Sequence, residues 1–112
     1  MKLKVLFVDD EPALCECFVD IFSNEEVEIL VAETAEQALT QEKKYSPQLV
    51  FLDYRIPSMN GDELAKLMNP SVPKYLVTGE LEPKPSFKFD GILPKPFDYV
   101  RMQQVIDQHI AK

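Results

Sequence analysis

Long hydrophobic runs are missing from this sequence. No apolar stretch approaches the ~20 residues that a membrane-spanning helix requires, and the short run after Met1-Lys2-Leu3-Lys4 ends at two aspartates, so no signal peptide is expected. Basic residues are scarce: 12 Lys and Arg stand against 19 Asp and Glu, a formal net charge of −7. Phosphate backbones are gripped by Lys and Arg clusters, so this domain is not expected to bind DNA or RNA directly. Cysteine is limited to Cys15 and Cys17. Two apart in a helical pattern, they point to different faces. They suit neither a disulfide nor a zinc site and read as small packing residues in a reducing cytoplasm. Repeats, low-complexity segments and linkers are absent as well.

What is present suits one globular domain spanning residues 1–112. The length is usual for one domain and short for two. Apolar residues make up 46%, and a chain of this size buries roughly two-thirds of its unfolded surface, enough for a core without staples.

The chain is organised around Gln48-Leu-Val-Phe-Leu-Asp53, four apolar residues running into a carboxylate. Flanked by Ser46-Pro47 and Pro57-Ser58, the run reads as a strand buried on both faces. Lys4–Val8 is a second such strand, ending at Asp9 and Asp10. Pro12 suits a first helical turn, and Leu14, Phe18, Ile21 and Phe22 form a core-facing stripe. Val27–Ala32 reads as a strand. Thr34-Ala-Glu-Gln37 is a capping box opening a helix that buries Ala35, Ala38 and Leu39. After Asp53, residues 54–61 read as a loop, and Leu64, Leu67 and Met68 mark a short helix stopped by Pro70 and Pro73. Tyr75–Thr78 and Gly91–Pro94 are strands, the second placed at a sheet edge because Pro94 cannot donate to a ladder. Asp98 can cap a closing helix carrying Val100, Met102, Val105, Ile106 and Ile110.

Strands alternating with helices predict an α/β fold with a doubly wound parallel sheet. The favoured form is flavodoxin-like, five strands in the order 2-1-3-4-5, with its switch point between strands 1 and 3. This places Asp9, Asp10, Asp53, Thr78 and Lys95 at one edge of the sheet, with the three acids at the switch point.

Carboxylates gathered there repel. At ~4 Å two unit charges interact by roughly 4 kcal/mol at an effective dielectric of 20. A hard divalent cation such as Mg²⁺ would neutralise them. Lys95 adds a positive charge and Thr78 a hydroxyl donor. Cation, lysine and hydroxyl around a carboxylate are the parts needed to carry a phosphoryl group on Asp53. Taken singly, each residue has a plainer role: Asp9-Asp10 as a helix cap, Lys95 as a solvated charge, Thr78 as a strand former. Their joint placement at four strand ends favours the chemical reading.

Asp9-Asp10-Glu11, Asp53-x-x-x-Pro57-x-Met59-x-Gly61, Thr78 and Lys95-Pro96-Phe97 together resemble the receiver domain of bacterial two-component response regulators. The resemblance covers Lys4 to Ile110. It implies that Asp53 is the phosphoacceptor, assisted by Thr78 and Lys95. It also implies an Mg²⁺ site formed by the side chains of Asp10 and Asp53, by Asp9 mostly through water, and by the backbone carbonyl of Arg55. A cis Lys95–Pro96 bond is implied too. The implied phosphoryl donor is a sensor histidine kinase or phosphotransfer protein. The output partner is unspecified, and a homodimer is left open.

Two features depart from the family. Its second switch residue is usually Tyr or Phe, and here it is Ile92, expected to stay packed on a buried strand. The family also fits a full helix between the Thr-bearing strand and the last one. Here only the sixteen residues from Gly79 to Pro94 intervene, including Pro83 and Pro85, so 79–90 is expected to be a loop or a single turn, with the fourth helix shortened or missing. Arg55 and Glu80 are expected to face each other over the mouth of the site. Two other functions compete: an interaction module independent of phosphorylation, suggested by the altered output side, and an Mg²⁺-dependent aspartyl phosphohydrolase. The second alternative resembles an Asp-x-Asp pattern, and Arg55 at the second position counts against it.

Overall fold

The structure, a computed structural model, describes residues 2–110. In chain order the elements are β1 (Leu3–Val8), α1 (Pro12–Phe22), β2 (Val27–Ala32), α2 (Ala35–Tyr45), β3 (Leu49–Asp53), β4 (Arg55–Ile56), β5 (Met59–Asn60), α3 (Gly61–Leu67), β6 (Lys74–Thr78), β7 (Gly91–Pro94) and α4 (Tyr99–His109). Five strands pair in parallel in the order β2-β1-β3-β6-β7. This is the predicted 2-1-3-4-5 arrangement. The numbering is displaced by a two-residue antiparallel ladder, Arg55↔Asn60 and Ile56↔Met59, inside the segment expected to be loop.

Alternation along the central strands sends side chains to two cores. On one face Phe7, Phe51 and Val77 pack with Phe18 and Phe22 of α1 and with Met102 and Ile106 of α4. The Phe7 and Phe18 rings stack at 4.2 Å. On the other face Leu6, Val8, Val50 and Leu52 pack with Ala35 and Ala38 of α2 and with Leu64 and Ala65 of α3. All five residues of β3 are buried, Asp53 included.

The helix starts follow local chemistry. Pro12 opens α1. Thr34 Oγ1 accepts from the Gln37 amide at 3.1 Å, and Gln37 reaches back to the Glu33 amide at 2.8 Å, one residue earlier than a standard capping box. Asn60 and Glu63 form a full capping box on α3, and Asp98 caps α4 through the Arg101 amide. The apolar stripes are narrower than their spacing implies: Ile21, Leu67 and Val100 are exposed at the margins of their helices.

Between β6 and β7 no helix forms, so the helix missing relative to the family is the one expected to be absent; α4 is the closing helix. The consequence for Ile92 is a correction. It is 39% exposed rather than packed. Its neighbour Leu93 faces the α1–α4 core, so Ile92 faces the opposite side, where the missing helix leaves it uncovered. Lys74 is the other surprise. It is buried, and its ammonium donates to the Asn69 and Val72 carbonyls at 2.5 and 2.9 Å, closing the turn after α3.

Candidate functional site

The carboxyl ends of β1, β3, β6 and β7 converge. Asp9 and Asp10 follow β1, Asp53 and Thr78 are the last residues of β3 and β6, and Lys95 follows β7. All five side chains predicted for the site are brought to this edge, beside the β1/β3 switch point, and Arg55, the sixth predicted residue, opens β4 two residues past Asp53.

Asp9, Asp10 and Asp53 each offer a carboxylate oxygen, and the three oxygens lie within 4.8 Å of one another. Asp9 is fully buried and Asp53 is 6% exposed, whereas Asp10 is exposed to solvent. The Lys95 ammonium donates to Asp9 Oδ2 at 2.8 Å and lies 3.2 Å from Asp53 Oδ2. Its backbone amide donates a hydrogen bond to the Thr78 carbonyl at 2.9 Å, and a cis peptide follows to Pro96. Asp9 Oδ1 accepts from the Glu11 amide at 3.0 Å, and Asp53 Oδ1 from the Arg55 amide at 3.4 Å. Each carboxylate is therefore aimed by its own turn as well as by the lysine.

Burial raises the Asp53 carboxyl above its ordinary value; Lys95 opposes that shift and Asp9 adds to it. Burial pulls the Lys95 ammonium down, but Asp9 and Asp53 more than offset this and the net shift is upward. Lys95 is thus held as a cation. The Cys15 thiol donates to the Asp9 carbonyl at 3.3 Å. Burial and the Asp9 charge push it up to about 11, so it remains a neutral packing group. Cys17 is exposed, on a different face, as its spacing implied.

Three carboxylate oxygens, one on a solvent-exposed side chain, form a hard oxygen donor set of the kind that suits Mg²⁺. A single lysine bridging two of the three acids leaves the cluster net negative, which also favours a cation. At the mouth, Arg55 Nη2 meets Glu80 Oε1 at 3.0 Å, as expected from their positions. Thr78 Oγ1 accepts from the Glu80 amide at 3.1 Å.

Asp62 was not foreseen. It is buried in the first turn of α3 and accepts from the Ser86 amide and hydroxyl at 2.6 and 3.1 Å. As a first-turn acid its plain reading is a charge at a helix N-terminus, and nothing in Gly61-Asp62-Glu63 marks it for burial.

The family model for the response regulator receiver domain matches residues 5–107. The chain is 31% identical to the sensory transduction protein LytT of Bacillus subtilis, covering 96% of this chain and 48% of that protein. It is 31% identical to the DNA-binding response regulator MtrA of Mycolicibacterium smegmatis, covering 73% of this chain and 37% of that protein. Against the sporulation initiation phosphotransferase F of Bacillus subtilis it is 30% identical, covering 98% of this chain and 95% of that one. The chain thus spans less than half the length of the first two relatives and nearly all of the third. Among solved structures, the CheY-like response regulator receiver domain protein from Methanospirillum hungatei matches with a TM-score of 0.81 at 26% identity, covering 96% of each chain. With five parallel strands in the same winding, and with the family model matching nearly end to end, this chain belongs to the response regulator receiver domain family of two-component signalling.

Proposed function

We propose that Asp53 accepts a phosphoryl group from a histidine kinase or phosphotransfer protein, in a reaction that depends on Mg²⁺. The observation that carries this reading is the position of the Asp53 carboxyl. It ends the central strand between the Lys95 ammonium and the Asp9–Asp10 pair, within reach of solvent at the switch point.

In the transfer, an Asp53 carboxylate oxygen forms a bond to phosphorus as the bond from phosphorus to the donor nitrogen breaks. Lys95, already 3.2 Å from Asp53 Oδ2, stays beside the new phosphoryl oxygens and balances their charge. Asp10, Asp53 and the Arg55 carbonyl would hold Mg²⁺, with Asp9 acting through water. Bound there, the cation would neutralise charge on the phosphoryl oxygens. The Thr78 hydroxyl, whose oxygen accepts from the Glu80 amide, has a proton that it can turn toward a phosphoryl oxygen. Asp9 orients Lys95 and keeps it charged. Such a domain signals by changing shape, with only its own phosphorylation and dephosphorylation as chemistry. No helix among the described residues is long and apolar enough to cross a membrane, and a cytoplasmic setting fits a kinase as donor.

Incubation with Mg²⁺ and acetyl phosphate, read by intact mass, should show a single phosphoryl adduct. Asp53→Asn should abolish it. Asp10→Ala should remove the Mg²⁺ dependence along with most of the rate. A stable adduct on the Asp53→Asn protein defeats the assignment.

A second reading draws support from the β6–β7 segment. With no helix there and with Ile92 half-exposed, the output side differs from the family pattern, as it would in a module whose partner ignores phosphorylation. Wild-type protein that stays unmodified under these conditions favours that reading.

A further inference from the structure

Residues 79–90 stand between β6 and β7 where the family places a helix, and they run as a strap. From Glu82 to Asp90 polar and apolar residues alternate strictly. Pro83, Pro85, Phe87 and Phe89 are half-buried, and the residues between them are exposed. That period of two is the signature of an extended chain laid on a surface. Phe87 and Phe89, their ring centroids 4.9 Å apart, cover the core on the α2–α3 side.

Polar ties hold the strap along its length, with the Arg55–Glu80 pair at its start. The Glu80 amide donates to Thr78 Oγ1 at its start. At its end the Asp90 amide donates to the Lys74 carbonyl, and Asp90 Oδ2 accepts from the Lys74 amide, both at 2.8 Å. The middle tie differs in kind. Asp62 is 5% exposed; its Oδ2 takes both bonds from Ser86, and its Oδ1 meets no protein donor. The Lys66 ammonium reaches the Ser86 hydroxyl at 3.1 Å. A buried carboxylate satisfied on one oxygen only is held in place by the strap at an energetic cost, and a cost of that kind is relieved by opening.

Both partners in this tie are joined to the phosphoacceptor edge. Asp62 follows Gly61, whose amide donates to the Tyr54 carbonyl at 2.9 Å. Gly61 sits so close to the Asp53 backbone that an added Cβ would fall 2.8 Å from the Asp53 carbonyl oxygen. Ser86 belongs to the strap that starts at Thr78. If the Thr78 hydroxyl turns toward a group on Asp53, its bond to Glu80 lengthens and the start of the strap is left with the exposed Arg55–Glu80 pair alone.

We propose that Asp62 and Ser86 form a latch that holds the strap down until Asp53 is modified. Its release frees Phe87 and Phe89 and uncovers apolar surface on the α3 side. Asp62 acts as a positioning residue, through Ser86 and the strap. The inference rests on the phosphoacceptor reading of Asp53.

Coupling between two sites is reciprocal. If modification of Asp53 opens the latch, breaking the latch must favour modification by the same factor. The test uses the full chain with Mg²⁺ and beryllofluoride, with affinity measured by titration calorimetry and strap opening by amide hydrogen exchange. Asp62→Ala should bind the mimic on the order of fivefold more tightly than wild type or better. Ser86→Ala, which loses the hydroxyl bond and keeps the amide one, should show a smaller gain. In both unliganded variants, amides of residues 79–90 should exchange as they do in wild type bound to beryllofluoride. A merely structural tie would lower the melting temperature without tightening the affinity. Ser86 lies on the surface, so its variant is readable even if Asp62→Ala folds poorly. Wild type that binds while Ser86→Ala and any folded Asp62→Ala bind no better overturns the latch alone. Wild type that binds no beryllofluoride overturns the phosphoacceptor reading and the latch with it.

Discussion

A carboxyl group with 6% of its surface exposed resists ionisation, and Asp53 is such a group. Burial raises its folded value above the 3.8 of the free side chain, more than the Lys95 charge lowers it. Between 3.8 and the folded value the native state binds more protons than the unfolded chain, so stability falls as pH rises through that window. Above the window the whole penalty of the buried charge is present. Asp53→Asn, measured without divalent cations, should therefore raise the melting temperature at pH 7. Lys95 keeps Asp9 at 2.8 Å as its remaining partner in that variant. The gain should shrink as pH is lowered toward 3.8, which thermal melts across that range would check. A variant that melts below wild type at pH 7 would show that the Lys95 contact outweighs burial.

Elements explain which parts of this fold were legible from sequence. β1 and β3 were plain because unbroken apolar runs ending in acids leave few other readings. The Thr34, Pro12 and Asp98 helix starts carry their own local chemistry. The five-residue site followed, since residues at the carboxyl ends of neighbouring parallel strands are brought together by topology alone. Ile92 was misjudged because its burial depends on a helix elsewhere in the chain that does not exist. Asp62 was missed because it is buried by a long-range contact with Ser86 that no local pattern announces, and Lys74 because its ammonium folds back on the carbonyls of Asn69 and Val72 in an irregular turn that has no sequence signature. The alternation from Glu82 to Asp90 was the signal present and unread; it distinguishes a laid-down strap from an irregular loop. Arg55 and Glu80 join the turn after β3 to the start of that strap. Both side chains are solvent-exposed, so their pairing adds only ~0–1 kcal/mol. Placed over the mouth, the pair would restrict the water that hydrolyses a phosphoryl group on Asp53. Arg55→Ala and Glu80→Ala should change the phosphoryl lifetime, followed by intact mass, more than the melting temperature. Unchanged half-lives in both variants would remove the pair from the mechanism.

At the scale of the whole molecule, part of the acidic excess is gathered at the functional edge. The net charge of −7 includes the three carboxylates at the switch point. A ligand that binds only the folded protein stabilises all of it, by roughly 1.4 kcal/mol at about ten times Kd. For a domain of this size that corresponds to about 5–10 °C. Thermal melts with and without a chelator should show such a rise on adding Mg²⁺ to wild type and little or none in Asp10→Ala. A melting temperature indifferent to Mg²⁺ would argue against a metal site in the folded state.

β7 is the last strand of the sheet, so one of its two hydrogen-bonding edges has no partner strand. A bare edge strand invites a strand from another molecule and, with it, open-ended polymerisation. β7 is short, and its last residue removes a donor. The Lys95 amide points inward to the Thr78 carbonyl, and successive amides in a strand point to opposite sides, so the nitrogen of Pro94 is turned outward with no hydrogen to give. A strand arriving from a neighbour would find its ladder broken at that rung. At this open edge of the sheet, Pro94 guards the molecule against adding to itself.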